Sequence, residues 1–279
     1  MTAHTISTST TPSLYYRRSG QGPALLLIHG FPATGSLWDD VARQLEQDFT
    51  LLIPDLPGAG NSRLEGESIS IEAIADCMKA ILDDAQVETA AICGHSMGGY
   101  IALAFAKKYP DRMAGLTLVH STAAADDAAK KALREKTIAL IRKGGKEGFI
   151  REFIPTLYGT RFKETQPQKV KAQAEAAQRM PEATMIAFYT AMMERPDSLE
   201  ALQDMDLPVQ WVIGGEDALI PYDKMKQQTY EANVSFVSIY PQGGHMSMTE
   251  HPDQLAADLR AFGDYCFTRM AAHQKKAVL

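Results

Sequence analysis

Residues 94–98 of this 279-residue chain read Gly-His-Ser-Met-Gly, and they decide its fold class. An apolar run at residues 89–93 precedes them and predicts a buried strand, and a helical pattern that includes Ile101 follows them. A serine on such a sharp strand-to-helix turn is exposed at the strand end, and the flanking glycines avoid collisions with the neighbouring strand and helix. The motif in this context predicts a nucleophile at Ser96, and a purely structural glycine-rich turn is the alternative.

Five more apolar runs predict strands, and helical patterns separate most of them. The runs lie at residues 24–28, 50–53, 116–119, 209–213 and 234–239. Continuous apolar runs are typical of strands that are buried on both faces. Their alternation with helices predicts an α/β fold with a mostly parallel sheet and helices on both faces.

The stretch from about residue 121 to residue 203 interrupts this alternation. It has no convincing strand pattern and is rich in Ala, Lys, Glu, Met and Gln, with glycines and prolines that indicate breaks between helices. We interpret residues 121–203 as a helical cap inserted into an α/β core formed by residues 1–120 and 204–279.

Composition and charge exclude several classes of protein. Hydrophobic residues make up 45% of the chain and charged residues 22%, which is typical of a soluble globular protein. The net charge of −6 gives no overall attraction to nucleic acid or to an anionic membrane, and no apolar run approaches the ~20 residues that cross a bilayer. We therefore expect neither a nucleic-acid partner nor membrane insertion.

The N-terminus and the cysteines bear on localisation. Residues 1–13 are rich in Thr and Ser and lack the basic and apolar segments of a secretory signal, so we expect an unordered leader there. Cys77, Cys93 and Cys266 lie far apart and form no CxxC pair, which argues against a disulfide framework and a zinc site. Both observations predict a cytoplasmic protein.

A serine nucleophile needs a base, and the base needs a carboxylate that holds it in the right tautomer. His245 follows the predicted strand at 234–239 and a glycine-containing loop, which makes it the best candidate base. His251 precedes a proline at a helix start, where a capping or surface role is expected. Asp217 follows the predicted strand at 209–213 and is the best candidate acid.

Several other residues of the right chemical type remain as alternatives. Asp126 and Asp127 follow an earlier predicted strand and are the runners-up for the acid. Glu216 is expected to point elsewhere if its loop is tight. His4 and His273 are expected to lie in terminal tails.

The oxyanion that forms when serine attacks a carbonyl needs two backbone N–H donors. Met97, directly after the serine, and Phe31, after the predicted strand at 24–28, occupy the two expected positions. Pro32 has no N–H to offer. His29 is interpreted as a buried structural histidine that satisfies loop carbonyls, and acid–base chemistry is the alternative.

Five motifs occur in an order and spacing that resemble a known family. They are His-Gly-Phe-Pro at 29–32, Asp-Leu-Pro-Gly-Ala-Gly-Asn-Ser at 55–62, Gly-His-Ser-Met-Gly-Gly at 94–99, the loop at 214–221, and His245 with Glu250 and Pro252. Over nearly its whole length the chain resembles the α/β-hydrolases of the capped, esterase-like branch. The resemblance implies Ser96 as nucleophile, Asp217 as acid and His245 as base, with 55–62 as a structural turn. Ala59 departs from the His or aromatic residue often found there.

The identity of the nucleophile and the missing motifs narrow the chemistry further. Haloalkane dehalogenases and epoxide hydrolases of this fold carry aspartate where this chain has Ser96, so the serine indicates acyl chemistry. The sequence contains no Walker loop, no GxGxxG after a strand and no metal-ligand spacing of His, Cys and Asp. We therefore expect no cofactor and no metal.

The sequence favours a carboxylic ester hydrolase that acts on a small-molecule ester through an acyl-enzyme on Ser96. One alternative keeps the serine chemistry but changes the bond, as in C–C hydrolases, lactonases, aminopeptidases and perhydrolases, because the fold alone cannot choose among them. Another is a slow-turnover ligand receptor on the same fold.

The predicted cap has two surface properties that bear on the substrate. Met and aromatic residues at helical spacing give it an apolar face, for which core packing is the simpler interpretation and an acyl pocket the alternative; they are Met180, Met185, Phe188, Tyr189, Met192 and Met193. Residues 130–179 carry 13 Lys and Arg against five Glu and no Asp, a net charge of +8, so the rest of the chain carries −14. One hypothesis is that these basic helices attract an acyl-carrier-bound substrate; a solvated basic helix face is the alternative.

Overall fold

The computed structural model describes residues 1–277; residues 278–279, the last two of the predicted core, lie outside the described residues. One sheet of eight strands organises the chain. In chain order the strands are β1 (Thr2–Ile6), β2 (Leu14–Ser19), β3 (Ala24–Ile28), β4 (Thr50–Pro54), β5 (Ala90–His95), β6 (Met113–Val119), β7 (Pro208–Gly214) and β8 (Val234–Tyr240). Their order across the sheet is β1-β2-β4-β3-β5-β6-β7-β8.

The six strands predicted from apolar runs are β3 to β8, and they pair in parallel. All residues of β3 to β7 are buried, as expected for strands covered on both faces. The predicted α/β class with a mostly parallel sheet is confirmed. The carboxyl ends of β5, β6, β7 and β8 therefore meet at one edge of the sheet, where their following loops lie side by side.

The N-terminal residues are ordered, so the expected unordered leader at residues 1–13 is wrong. β1 pairs antiparallel with β2, and β2 pairs antiparallel with β4. The physical reason lies in β2, where Leu14 and Tyr16 alternate with more exposed residues and are fully buried. In β1, the ring of His4 stacks on Tyr16 with centroids 4.8 Å apart, so His4 does not lie in a tail.

Helices cover both faces of the sheet. Adjacent to the strands lie α1 (Asp39–Leu45), α2 (Ile71–Asp84), α3 (Met97–Lys108), α10 (Tyr222–Gln228), α11 (Ser247–Glu250) and α12 (Pro252–Ala277). On β6, a Cβ at Gly115 would meet Cys266 of α12, whereas Leu118 lies against Gly99 of α3. Because residues 115 and 118 point to opposite sides of a strand, α3 and α12 lie on opposite faces.

Six helices occupy the chain between β6 and β7. They are α4 (Ala128–Arg142), α5 (Lys146–Thr156), α6 (Thr160–Thr165), α7 (Pro167–Gln178), α8 (Glu182–Glu194) and α9 (Leu199–Asp204). α4 packs on α8 and α5 packs on α7. Pro167 begins α7, but not every glycine or proline of this stretch marks a break between helices, because Gly148 and Pro155 both lie within α5. Among residues 1–277, no helix combines the length and apolar character needed to cross a bilayer.

Candidate active site

Ser96 occupies the turn between β5 and α3 in a strained conformation. Its φ of 51° and ψ of −115° lie outside the regions that non-glycine residues normally adopt. The backbone is held there from both sides, because its N–H donates to the Val119 carbonyl (2.9 Å) and its carbonyl accepts from the Gly99 N–H (2.9 Å) and the Ser121 hydroxyl (2.7 Å). A strained backbone conformation persists only where its surroundings hold it, and here hydrogen bonds from the neighbouring strand and helix do so.

The glycines around Ser96 are required by close packing. A Cβ at Gly94 would collide with the backbone of Gly98, and a Cβ at Gly98 would collide with the Ile28 carbonyl of β3. Any side chain at either position would force β3, β5 and α3 apart. The sequence spacing therefore follows from the contact distance between these three elements.

His245 lies in the loop after β8 and is fixed at three points. Its Nδ1–H donates to Asp217 Oδ2 at 2.7 Å, and both side chains are buried. Its backbone N–H donates to the Leu157 carbonyl (2.6 Å), and its carbonyl accepts from Nε2 of His95 (2.9 Å). Nε2 of His245 has no hydrogen-bond partner among the described residues, so it is available to accept a proton.

Asp217 follows β7 and uses both carboxylate oxygens. Oδ1 accepts the backbone N–H groups of Leu219 (2.9 Å) and Ile220 (3.0 Å), and Oδ2 faces His245 and His120. Burial alone would raise the pKa of Asp217, but attraction to His245 and hydrogen bonding to both histidines hold it well below its usual range. The carboxylate is therefore ionised at neutral pH.

The runner-up acids lie in other contacts. The Asp126 carboxylate receives Nε of Arg134 at 2.6 Å and lies 3.0 Å from Arg195. Burial would raise the pKa of Asp126, but Arg134 and Arg195 lower it on balance. Asp127 accepts a backbone N–H at the start of α4. The hydrogen-bonded carboxylate partner of His245 is Asp217.

Two further candidates lie near His245 without bonding to its ring. The Glu216 carboxylate accepts the Thr160 N–H at 2.7 Å, so it points toward the helices between β6 and β7. His251 ends α11, where its ring stacks on Tyr240 with centroids 5.4 Å apart.

The sequence analysis missed His120. It follows β6, is fully buried, and places Nδ1 3.3 Å from Asp217 Oδ2 and Nε2 2.6 Å from the Ser247 hydroxyl oxygen. Burial lowers the pKa of His120, so the ring is neutral at neutral pH. Its position directly after the apolar run at residues 116–119 is the same signal that selects Asp217 and His245.

One cluster has metal-ligand chemistry. Ligand atoms of His120, Asp217 and His245 lie within 4.8 Å of one another, a grouping that sequence spacing did not predict. The ring nitrogens are already engaged, however, since Nδ1 of His245 bonds to Asp217 and Nε2 of His120 bonds to Ser247. A metal would have to displace these hydrogen bonds.

The two predicted oxyanion donors lie at the rim of the same turn. Met97 begins α3, so its backbone N–H has no acceptor within the helix. Phe31 follows β3 by three residues and lines the same cavity as Ser96. The contacts of His29 fit the expected structural role. Its Nδ1–H donates to the Gly30 carbonyl (2.9 Å), and its Nε2 accepts from the Leu56 N–H (3.0 Å).

The turn at residues 55–62 is organised by one buried carboxylate. Asp55 accepts the backbone N–H groups of Gly35 (2.8 Å) and Asn61 (2.9 Å). The side chain of Ala59 is buried in this turn. The turn is therefore hydrogen-bonded to the segment that follows Phe31 and stabilises it.

Ser96 opens into a cavity of about 700 Å³ between the sheet and helices α4, α5 and α8. Its walls are largely aromatic and apolar, and they include Phe31, Tyr100, Phe149, Phe153, Tyr189 and Met192. The rings of Phe31 and Tyr189 lie 4.7 Å apart between centroids. Of the apolar residues that we singled out in the predicted cap, Tyr189 and Met192 line this cavity, whereas Met185 and Phe188 belong to the packed core.

Comparisons with known proteins find relatives that match most of the chain. Two pimeloyl-[acyl-carrier protein] methyl ester esterases are similar in sequence. The one from Pseudoalteromonas atlantica is 26% identical over 88% of this chain and 96% of its own length, and the one from Vibrio cholerae is 28% identical over 86% and 94%. A thermophilic esterase from Thermogutta terrifontis superposes with a TM-score of 0.90 at 28% identity, covering 95% of this chain and 99% of that one.

A family model described as the alpha/beta hydrolase fold matches residues 23–252. The match begins one residue before β3 and ends at the first residue of α12, so it includes all the strand ends that meet at the candidate site. The chain belongs to the alpha/beta hydrolase fold family.

Proposed function

We propose that the protein is a serine hydrolase that cleaves carboxylic esters through an acyl-enzyme on Ser96. The observation that carries the proposal is the buried 2.7 Å hydrogen bond between Asp217 and His245, which leaves Nε2 of His245 unpaired, in a loop that also bonds to His95, the residue before the strained Ser96. The esterases of similar sequence and fold support the class of bond. Esterases that span nearly the whole chain also favour hydrolysis over a binding-only role.

The proposed mechanism assigns one task to each group. His245 accepts the hydroxyl proton as Ser96 attacks the ester carbonyl, and the Asp217 carboxylate stabilises the resulting imidazolium. The backbone N–H groups of Phe31 and Met97 stabilise the oxyanion. The imidazolium then protonates the departing alcohol, and His245 activates a water molecule that hydrolyses the acyl-enzyme.

The cavity argues for an apolar acyl group. Its aromatic and methionine walls favour transfer of hydrocarbon out of water, and its volume of about 700 Å³ is within the range of small-molecule sites. We infer an ester whose acyl part is a medium-length alkyl or aryl chain. C–C bonds, lactones, aminoacyl amides and perhydrolysis remain the competing reactions, and a slow receptor is the competing role.

The test compares the protein with Ser96→Ala. We expect rapid hydrolysis of p-nitrophenyl butyrate and hexanoate, and a loss on the order of 10³-fold or more in Ser96→Ala, because no other group can form the acyl-enzyme. A mass shift equal to the acyl group, trapped on Ser96 by rapid acid quench, identifies the intermediate. Wild-type turnover in a folded Ser96→Ala protein would refute the mechanism, and turnover near background with ligand-dependent melting would favour the receptor.

A second proposal concerns a carrier-bound substrate. The net charge of +8 over residues 130–179 lies on helices α4 to α7, of which α4 and α5 line the cavity of Ser96, and two similar esterases are named for an acyl-carrier substrate. Arg142 and Lys143 are exposed at the end of α4. Lys146 is unsuitable for a charge-reversal test, because its ammonium donates to the carbonyls of Gln178 and Met180 and thus has a structural role.

Charge reversal tests this second proposal. We expect Arg142→Glu with Lys143→Glu to lower kcat/KM for a carrier-bound methyl ester about tenfold or more at low salt, with the loss shrinking at high salt and a small neutral ester unaffected. Lys224→Glu with Lys226→Glu on α10 makes the same change of charge outside the basic helices and serves as the control. Equal effects on both substrates, or no effect, would contradict steering.

A further inference from the structure

Two histidines face Asp217, and one of them, His120, also contacts a serine hydroxyl. On one side lie His245 and the Ser96 turn; on the other, Nδ1 of His120 lies 3.3 Å from Asp217 Oδ2, and Nε2 of His120 lies 2.6 Å from the Ser247 hydroxyl oxygen. The second arrangement has the connectivity of a serine triad built around the same carboxylate.

The second arrangement has no route to a substrate. His120 and Ser247 are both fully buried, and neither lines the cavity that contains Ser96. A nucleophile must be reached by its substrate, so Ser247 cannot replace Ser96 in the proposed chemistry. Any effect of His120 and Ser247 on the proposed chemistry must therefore act through Asp217.

The hydrogen bonds determine the tautomer of His120. If Nε2 carried the proton, the lone pair of Nδ1 would face a carboxylate oxygen at 3.3 Å, which is repulsive. If instead the Ser247 hydroxyl donates to Nε2, the proton sits on Nδ1 and points toward Asp217. Only this second tautomer is favourable at both ring nitrogens.

We propose that His120, oriented by Ser247, is a positioning residue that shares the charge of Asp217 and holds its carboxylate in line with His245. The inference rests on the proposed function of Ser96, Asp217 and His245. In this arrangement one oxygen of Asp217 accepts the Nδ1–H of His245 and faces Nδ1 of His120 at 3.3 Å, while the other accepts the two backbone N–H groups described above. The carboxylate is thus prevented from rotating away from His245.

The surroundings of His120 predict how its loss alters pH dependence. The titratable groups around it are Asp217, His245, His95 (ring centroids 6.3 Å apart) and, further away, Glu250. Because His120 is neutral, it offers Asp217 an N–H dipole and no net charge. Without that dipole the carboxylate attracts positive charge on the neighbouring imidazole more strongly, so we expect the acid limb of kcat/KM to move upward.

Two substitutions at position 120 separate positioning from bulk structure. The amide nitrogen of Asn occupies the place of Nδ1, and Asn tolerates the φ of 47° found there. We expect His120→Leu to lower kcat/KM for p-nitrophenyl butyrate about tenfold and to move the acid limb up by about half a pH unit or more. His120→Asn should lose no more than about threefold and keep the limb near its original pH. His251→Leu, outside the cluster, serves as the control.

A spectroscopic measurement on the intact protein covers the case in which His120→Leu does not fold. In ¹⁵N-histidine NMR, with the signal assigned by its disappearance in His120→Asn, we expect Nδ1 of His120 to be protonated and Nε2 to be an unprotonated acceptor at neutral pH. Ser247→Ala should weaken this preference and shift both nitrogen signals.

The outcomes distinguish this inference from the proposed function. Full turnover in Ser96→Ala would refute the proposed function itself. If Ser96→Ala is inactive but folded His120→Leu keeps the wild-type rate and pH profile, positioning by His120 is wrong and the proposed function stands. A downward shift of the acid limb, or a proton found on Nε2 of His120, would also overturn the inference.

Discussion

At the scale of single residues, the site depends on how one buried charge is compensated. Asp217 is ionised in the interior only because two backbone N–H groups and two imidazoles surround its oxygens. A buried carboxylate without such partners would take up a proton instead. The same contacts that keep the charge also fix its direction toward His245.

Removing that charge predicts a specific loss. We expect Asp217→Asn to lower kcat/KM for a p-nitrophenyl ester by on the order of 10³- to 10⁴-fold, because an amide can neither stabilise the imidazolium nor accept the Nδ1 proton in the same geometry. Asp126→Asn is the matched control, since its carboxylate pairs with Arg134 and Arg195. If Asp126→Asn abolished turnover and Asp217→Asn did not, the assignment of the acid would be wrong.

Some residues of the candidate site could be predicted from the sequence, and others could not. Ser96, Asp217 and His245 could be chosen because each follows an apolar run, and parallel strands end at one edge of the sheet. The structure places Asp217 and His245 in hydrogen-bond contact, and their catalytic roles stay predictions. His120 also follows an apolar run, but Ser247 does not, and their contact joins residues 127 positions apart.

At the scale of elements, Glu250 joins three segments around the candidate base. Its carboxylate accepts the backbone N–H groups of Gly244 and Met246 on either side of His245, and the N–H of Gly159 between α5 and α6. The loop after β8 is therefore held to the helices that precede β7. This bond set explains how a loop residue keeps a fixed position.

We expect Glu250→Gln to lower the melting temperature by several degrees, because an amide cannot accept all three N–H groups and each unsatisfied buried donor costs about 1–3 kcal/mol. Amide hydrogen exchange at Gly244 and Met246 should accelerate. Glu216→Gln is a matched control, because Glu216 accepts one N–H, from Thr160, at the surface. Equal destabilisation by the two substitutions would contradict a joining role for Glu250.

Element prediction succeeded for the parallel strands and missed the two antiparallel strands at the N-terminus. The bounds of β3 were predicted to the residue, since all five side chains are apolar and buried. β1 and β2 were missed because they are antiparallel and partly exposed, so polar residues such as Arg17 and Arg18 interrupt their apolar pattern. Their pairing comes from backbone hydrogen bonds, which leave little trace in side-chain hydropathy.

At the scale of the whole molecule, buried neutral histidines link folding to pH. Burial lowers the pKa of His29, His95 and His120, and all three are fully enclosed. Below about pH 6.5 the unfolded chain takes up protons at these positions while the folded protein does not, so stability is lost as pH falls. The depressed pKa of Asp217 acts in the same direction, but only below about pH 4.

We expect the free energy of unfolding to fall as pH decreases below about 6.5, by up to about 1.4 kcal/mol per pH unit for each histidine that stays neutral in the folded protein. Urea unfolding between pH 7.5 and 5 measures this slope. His29→Asn should reduce the slope, because it removes one of the three enclosed histidines, and His251→Asn, at a histidine that is not fully enclosed, serves as the control. A free energy of unfolding that stays constant between pH 7 and pH 5 would show that these histidines are not held neutral.

The hydrogen bond from His245 to the Leu157 carbonyl has a consequence for recombination between members of the family. The helices between β6 and β7 could be exchanged together to change the cavity, because the chain enters and leaves them in loops and neither strand would be cut. Leu157 and Gly159, however, belong to the exchanged module and hold the loop of His245 and Glu250. A chimera that takes its helices from another family member but keeps residues 157–159 should hold His245 in its present position. A chimera that also replaces residues 157–159 should bind new substrates but turn them over poorly.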